Sequence, residues 1–293
     1  NDMTQNVTEN GDWSFPIFYI RAPRAGLPSQ RNDAVLHARQ TWPAVQYVVF
    51  IDDDTELSPD ALNGIQETFQ DPEVLGVNIP FICDPYASSK FRRLAHKIFH
   101  SLLKAPGRGV VLPCCYFYLA PPEIRGAKVD WTVGCGMAFR VEVFSKLECF
   151  FPEAFQRFGG YGAYEDQAFS FHLQYILKRK LTNSVYGGQI HHRVPGGRLN
   201  VKNLFAARWF NIRLLFDDTY GIYIQSDGYL CYFSYCWRLC MLKTFYFIYF
   251  SWHALYDRGF DVFRGLWAAS RALRHERKKV IGRLFEYKMG NDS

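Results

Sequence analysis

Asp52, Asp53 and Asp54 stand side by side at the end of the run Y-V-V-F-I. Three adjacent carboxylates repel one another, and a folded chain keeps them together only where something offsets the charge. Water can do so in a solvated acidic turn, a helix N-terminus can do so, and a divalent cation does it best. A second acidic pair, Glu165-Asp166, follows the glycine-rich stretch G-G-Y-G. A carboxylate of such a pair can take a proton in general base catalysis. The alternative is that Glu165 and Asp166 open a helix, since acidic residues suit a first turn. His191-His192 offers two imidazoles, which ligate metals when neutral; a lone histidine would be read as structural, but a pair before a glycine-rich turn is a candidate ligand. Gly134 and Gly136 flank Cys135 in G-C-G-M-A-F-R, a backbone that must approach something closely or take a positive φ.

The elements that hold these residues follow from patterning. Val48 to Ile51 is a short apolar run of β-branched and aromatic side chains, predicted as a strand buried on both faces. Ser58-Pro59-Asp60 reads as an N-cap with proline at the first helical position, opening a helix to about Phe69. The carboxylates then sit at the carboxyl end of a strand, where open α/β sheets bind ligands. Phe15 to Ile20 is predicted as a strand, and a helix enters at Ser29-Gln30-Arg31-Asn32 and ends near Trp42-Pro43. Further strands are predicted at Val74 to Ile82, Val110 to Leu119, Lys128 to Val133 and Ser184 to Ile190, the last delivering the histidine pair. Helices are predicted at Lys90 to Lys104, with one apolar and one basic face, at Glu165 to Lys180 and at Val201 to Phe216.

With 293 residues, 48% of them hydrophobic, the chain can bury one large domain with an appendage. A net charge of +6 favours an anionic partner such as a nucleotide or an acidic lipid surface. No recognition module for DNA or RNA is present, so nucleic acid is not expected as a partner. The eight cysteines form no C-x-x-C pair and no zinc-like spacing, which fits a reducing cytosol. From about Gly228 the character changes. Tyr229 to Tyr256 is rich in Tyr, Phe and Trp but carries Arg238 and Lys243, each costing about 3 kcal/mol at a bilayer centre. It suits a helix lying in a membrane interface or packed under the rest of the chain. Phe260 to Lys288 follows as a basic amphipathic helix, an ordinary solvated face or a membrane-surface contact.

Taken together and in order, D-D-D at Asp52–Asp54, G-C-G-M-A-F-R at Gly134–Arg140, G-G-Y-G-A-Y-E-D at Gly159–Asp166 and H-H at His191–His192 resemble a family-2 glycosyltransferase of the GT-A type. S-Q-R-N at Ser29–Asn32 adds to the likeness, which covers roughly Phe15 to Phe216. The resemblance implies an α/β fold, a Rossmann-like mixed sheet flanked by helices, with a C-terminal helical extension. It implies a metal-dependent, inverting transfer of a sugar from a nucleotide-diphospho-sugar donor to the hydroxyl of a glycan or lipid-linked acceptor. By this likeness Asp54 ligates a divalent cation (Mn2+ or Mg2+), with His192 completing the metal or diphosphate site and His191 the alternative. Asp52 and Asp53 fall in the nucleotide-sugar site, Asp52 on the ribose or behind the metal. Arg31 contacts the nucleotide, and Gly134 and Gly136 border the donor. Asp166 is the general base, and Glu165 orients the acceptor or its loop.

Two departures from the family pattern stand out. The positions that usually continue the Glu-Asp pair with Asp and then Arg are Ala168 and His172, which bears on acceptor recognition. The first strand-helix-strand unit has no counterpart before Phe15, an expected shortfall of roughly 40–70 residues judged from the size of such a unit. A catalytically inactive or truncated remnant with the same fold is therefore the competing reading. A haloacid-dehalogenase-type phosphatase fits less well because Glu56 occupies the place of its Thr or Val. A prenyl synthase would carry its aspartates on helices. The expected organisation is a catalytic domain over residues 1–220 and an aromatic, basic extension over 221–293. The chain is expected to be cytoplasmic and peripheral on the inner, anionic face of a membrane.

Overall fold

A computed structural model describes residues 3–23, 25–82, 125–145, 150–156, 163–175, 179–192 and 206–217, with parts of 237–251 and 264–273. The elements in chain order begin with α1 (Met3–Asn10), α2 (Leu27–Thr41), β1 (Tyr47–Ile51), β2 (Thr55–Leu57), α3 (Ala61–Thr68) and β3 (Val74–Asn78). They continue with β4 (Lys128–Val129), β5 (Gly136–Arg140), α4 (Glu142–Ser145), a 3-10 turn at Glu153–Gln156, α5 (Glu165–Tyr175), β6 (Lys180–Asn183) and β7 (Gln189–His191). Residues 206–217 form a further helix. The segments predicted at Lys90 to Lys104 and Val110 to Leu119, and all of G-G-Y-G, lie outside the described residues.

Among the described residues, five strands form one mixed sheet in the order β1-β5-β3-β6-β4. β5 runs antiparallel to both neighbours, pairing Phe50 with Met137 and Val77 with Ala138, while β3 and β6 are parallel. The alternation of side chains along β5 splits the core in two. Met137 and Phe139 face one cluster with Leu75, Phe144, Phe151, Phe169 and Leu181. Ala138 faces the other, with Ile65, Phe69, Val74, Val77 and Ile79. On the first face Phe169 of α5 stacks on Phe151 at 4.2 Å between ring centres and meets Phe139 edge-on at 4.9 Å. On the second, Ile65 of α3 and the following Phe69 close the sheet. Helices thus cover both faces of a mixed sheet, the architecture predicted from the sequence.

Several local expectations are corrected. Phe15 to Ile20 is not a strand: Phe15 and Phe18 are exposed, and no sheet partner reaches them among the described residues. β1 is half-buried at a sheet edge, not buried on both faces, because β5 is its one neighbour among the described strands. α3 starts at Ala61 with Asp60 as N-cap. Ser58 instead turns its hydroxyl to Asp60 Oδ1 at 2.6 Å and accepts the Gly188 amide at 2.9 Å. α5 runs over Glu165–Tyr175, and Lys180, predicted to be helical, opens β6; of the strand predicted over Ser184 to Ile190 only Gln189 and Ile190 lie in β7, and Ser184 to Gly188 form the turn that joins it to β6. Gly187 takes φ 75° in that turn, where a Cβ would lie 2.4 Å from Ala61 Cα. α1 occupies a polar stretch that carries no apolar periodicity in the sequence.

Candidate active site

The loop ending at Gly136 is the centre of the site, and it is held from two sides. Asn78, at the end of β3, accepts the Val133 amide at 2.9 Å and donates to Asn183 at 2.8 Å. Ser170 of α5 accepts the Thr132 amide at 3.1 Å. Gly134 is thereby held where a Cβ would lie 2.9 Å from Arg31 Nη2 and 3.1 Å from Asp166 Oδ2, so a side chain there would displace both groups. At Gly136 a Cβ would fall 2.2 Å from Gln189 Oε1. Close approach, not a positive φ, is what both glycines supply.

Arg31 lies beneath this loop, 6% exposed. Asn32 anchors α2 by exchanging two hydrogen bonds of 2.9 Å with the Phe151 backbone. The guanidinium then sits 5.4 Å from the Phe151 ring centre. Nη1 donates to Glu165 Oε1 at 2.8 Å, Nη2 donates to the Gly134 carbonyl at 2.8 Å, and Asp52 Oδ1 is 3.6 Å from Nη2. The cation is therefore engaged by protein groups on three sides. Glu165, 3% exposed, faces the same cation, and its second oxygen is buried with no hydrogen-bond partner among the described residues.

Asp166 accepts the Gly134 amide at 2.8 Å and its neighbour Gln167's amide at 2.9 Å. Burial, reinforced by the adjacent Glu165 charge, pushes its carboxyl up to about 7, against the lowering pull of Arg31 and the two amides. Burial also raises Glu165, with Arg31 opposing. Tyr164, just before the pair, has φ 71°, a left-handed conformation that costs a non-glycine residue on the order of 1–3 kcal/mol. Such strain at the entrance to α5 fixes the direction in which Glu165 and Asp166 leave the loop, and nothing in the sequence announces it.

The aspartate triplet follows β1. The Asp52 amide reaches the Cys135 carbonyl at 3.4 Å, tying it to the glycine loop. Desolvation raises the Asp52 carboxyl, countered by Arg31 and reinforced by Asp54. β2 pairs antiparallel with β7, Thr55 opposite His191, and the His192 amide donates to the Asp54 carbonyl at 2.7 Å. Alternation on β7 separates the two histidines. His191 Nε2 lies 3.0 Å from Asp54 Oδ1, while His192 Nε2 lies 2.9 Å from exposed Glu56. Asp52, Asp54 and His191 each bring one ligand atom into a group spanning no more than 4.8 Å. Two carboxylates and an imidazole form a donor set that suits a divalent cation. Asp53 is exposed and stands outside this group, as does His192.

Cys135 contributes backbone only, since burial pushes its thiol up to about 12 and leaves it unreactive at neutral pH. A groove of about 970 Å³ lies elsewhere, between α3 and the β4 edge, lined among others by Glu67, Asp71, Lys128 and Lys180. None of the site residues borders it.

No curated protein matches the chain. Residues 2–147, about half of it, match the family model described as glycosyl transferase family 2. The match takes in Arg31, Asp52, Asp54 and Gly134 and ends before Asp166 and His191. With that match and its helix-covered mixed sheet, the chain belongs to glycosyltransferase family 2 and has the GT-A fold.

Proposed function

We propose that this glycosyltransferase uses a nucleotide-diphospho-sugar donor and moves the sugar to an acceptor hydroxyl in one inverting displacement. Asp166 takes the hydroxyl proton, the freed oxygen bonds to the anomeric carbon, and the bond from that carbon to the diphosphate oxygen breaks on the opposite face. The diphosphate leaves with the bonding electron pair. A carboxyl poised near 7 suits a base working at neutral pH. Burial behind the Gly134 amide fixes the direction from which it accepts the proton.

The Asp52, Asp54 and His191 group is the proposed seat of a divalent cation, Mn2+ or Mg2+. A cation there would supply Lewis-acid neutralisation of the leaving diphosphate. Arg31 is assigned a positioning role in place of nucleotide contact, because its donors already meet Glu165 and the Gly134 carbonyl. Glu165 likewise holds Arg31 in place of the acceptor. Residues 1–220 form the proposed catalytic domain, with a glycan or lipid-linked molecule as acceptor. Residues 221–293 form the extension, whose Tyr246, Ala269 and Leu273 share a cluster with Phe155, Ala168 and Phe210.

The observation that carries this reading is the buried cation of Arg31, with Asp52 on one side and Glu165 of the Glu165-Asp166 pair on the other. It ties Asp52 of the metal group to Glu165, the immediate neighbour of the proposed base. The direct test is sugar transfer from a panel of donors by the native chain, Asp54→Asn and Asp166→Asn. Undiminished transfer in both variants sinks the assignment, whereas loss in both with the fold retained supports it.

A further inference from the structure

The described parts of 237–251 are helical and have two unlike sides. Leu239 and Tyr246 face the core cluster, where Tyr246 packs 5.8 Å from the Trp209 ring. At helical spacing the opposite side carries Trp237, Cys240, Thr244, Phe247 and Ile248. Trp237, Phe247 and Ile248 are 62, 64 and 62% exposed. The helical residues within 264–273 repeat the arrangement. Ala269 and Leu273 are buried, Trp209 Nε1 donates to Ser270 Oγ at 3.1 Å, and Trp267 points outward at 65% exposure. The Arg271 guanidinium lies 5.8 Å from the Trp267 ring centre.

Large rings held open to solvent on helices whose other sides are anchored mark a surface made for a partner. The charges say which. Among the described residues from 237 to 273, the ionisable side chains that carry charge at neutral pH are Lys243, Arg264 and Arg271, all basic and all exposed. A second copy docked through the same patch would set basic residues against basic residues, because a two-fold contact meets itself. An anionic bilayer surface answers both features, with tryptophan at the headgroup level and cations against lipid phosphates. No helix of the described residues is long and apolar enough to cross a membrane, so the helices would lie on it.

We propose that the outward faces around Trp237, Phe247, Ile248 and Trp267 seat the protein on an anionic lipid surface. The proposal stands apart from the sugar-transfer reading, because lipid binding is measured without donor or acceptor. The test is co-sedimentation of the full chain with vesicles of phosphatidylcholine alone and of phosphatidylcholine mixed with phosphatidylglycerol, at low and high salt. Binding is expected to the mixed vesicles and to weaken with salt. Lys243→Gln and Arg271→Gln should each weaken it by about fivefold, the worth of one basic residue at such a surface. Trp237→Ala combined with Trp267→Ala should abolish it while melting behaviour stays native, since both rings are exposed. Equal binding to both vesicles, binding to neither, or undiminished binding by the tryptophan variant overturns the proposal. A concentration-dependent dimer that the tryptophan substitutions abolish would give the face to a second copy and overturn it too.

Discussion

Arg31 Nη1 meets Glu165 Oε1 at 2.8 Å, and both side chains are nearly sealed from water. A pair this deep is no gauge of net stability, but breaking it strands one buried charge. Arg31→Met is therefore expected to cost about 3–5 kcal/mol in urea unfolding. Arg31→Lys should fall between, since one ammonium cannot bridge Glu165 and the Gly134 carbonyl as the planar fork does. A variant as stable as the native chain would show that the pair contributes nothing to the fold.

Asp166→Asn should lower the transfer rate by about 10²–10⁴-fold, the usual worth of a general base. The native rate should climb as pH rises through about 7, where the carboxyl loses its proton, and then level off. A pH–rate profile of the residual activity in Asp166→Asn should lack that climb.

The same carboxyl links stability to pH. Its folded pKa of about 7 is above the ordinary 3.8, so its contribution is fully present below pH 3.8 and is lost as pH rises through about 7. Over that window the native fold should lose on the order of a few kcal/mol from this group. Thermal melts from acid to neutral pH should show a shallower decline for Asp166→Asn.

The histidines should separate by function. His191→Ala removes a member of the proposed metal group and should weaken Mn2+ binding by more than the roughly 10–100-fold that loss of a supporting partner costs. His192→Ala removes an exposed contact with Glu56 and should change stability by no more than about 1 kcal/mol. Metal titration of both variants gives the comparison, and equal effects would contradict the strand register that sets them apart.

How much of this was legible beforehand depended on how local each signal is. An apolar run ending in three acids announces a strand with a charged end, and β1 followed by Asp52 is where that pattern put it. At Gly134 the sequence left close approach and a positive φ both open, because the Asp166 that it pairs with lies 32 residues away. Arg31 gave no sign of burial, since its three partners come from β1's end, the glycine loop and α5. The choice between His191 and His192 was equally hidden, because a one-residue slip in strand register exchanges their faces. Phe15 to Ile20 misled for the opposite reason: its composition suits a strand, but strand formation needs a neighbour that composition cannot reveal.

Calorimetric titration of the native chain and Asp54→Asn with UDP, GDP and dTDP, each with and without Mn2+, decides whether the Asp52, Asp54 and His191 group holds a metal for a nucleotide. At least one nucleotide is expected to bind the native chain only when Mn2+ is present, and Asp54→Asn is expected to lose this binding. Binding of none, or binding indifferent to both the metal and Asp54, would contradict the proposed metal site.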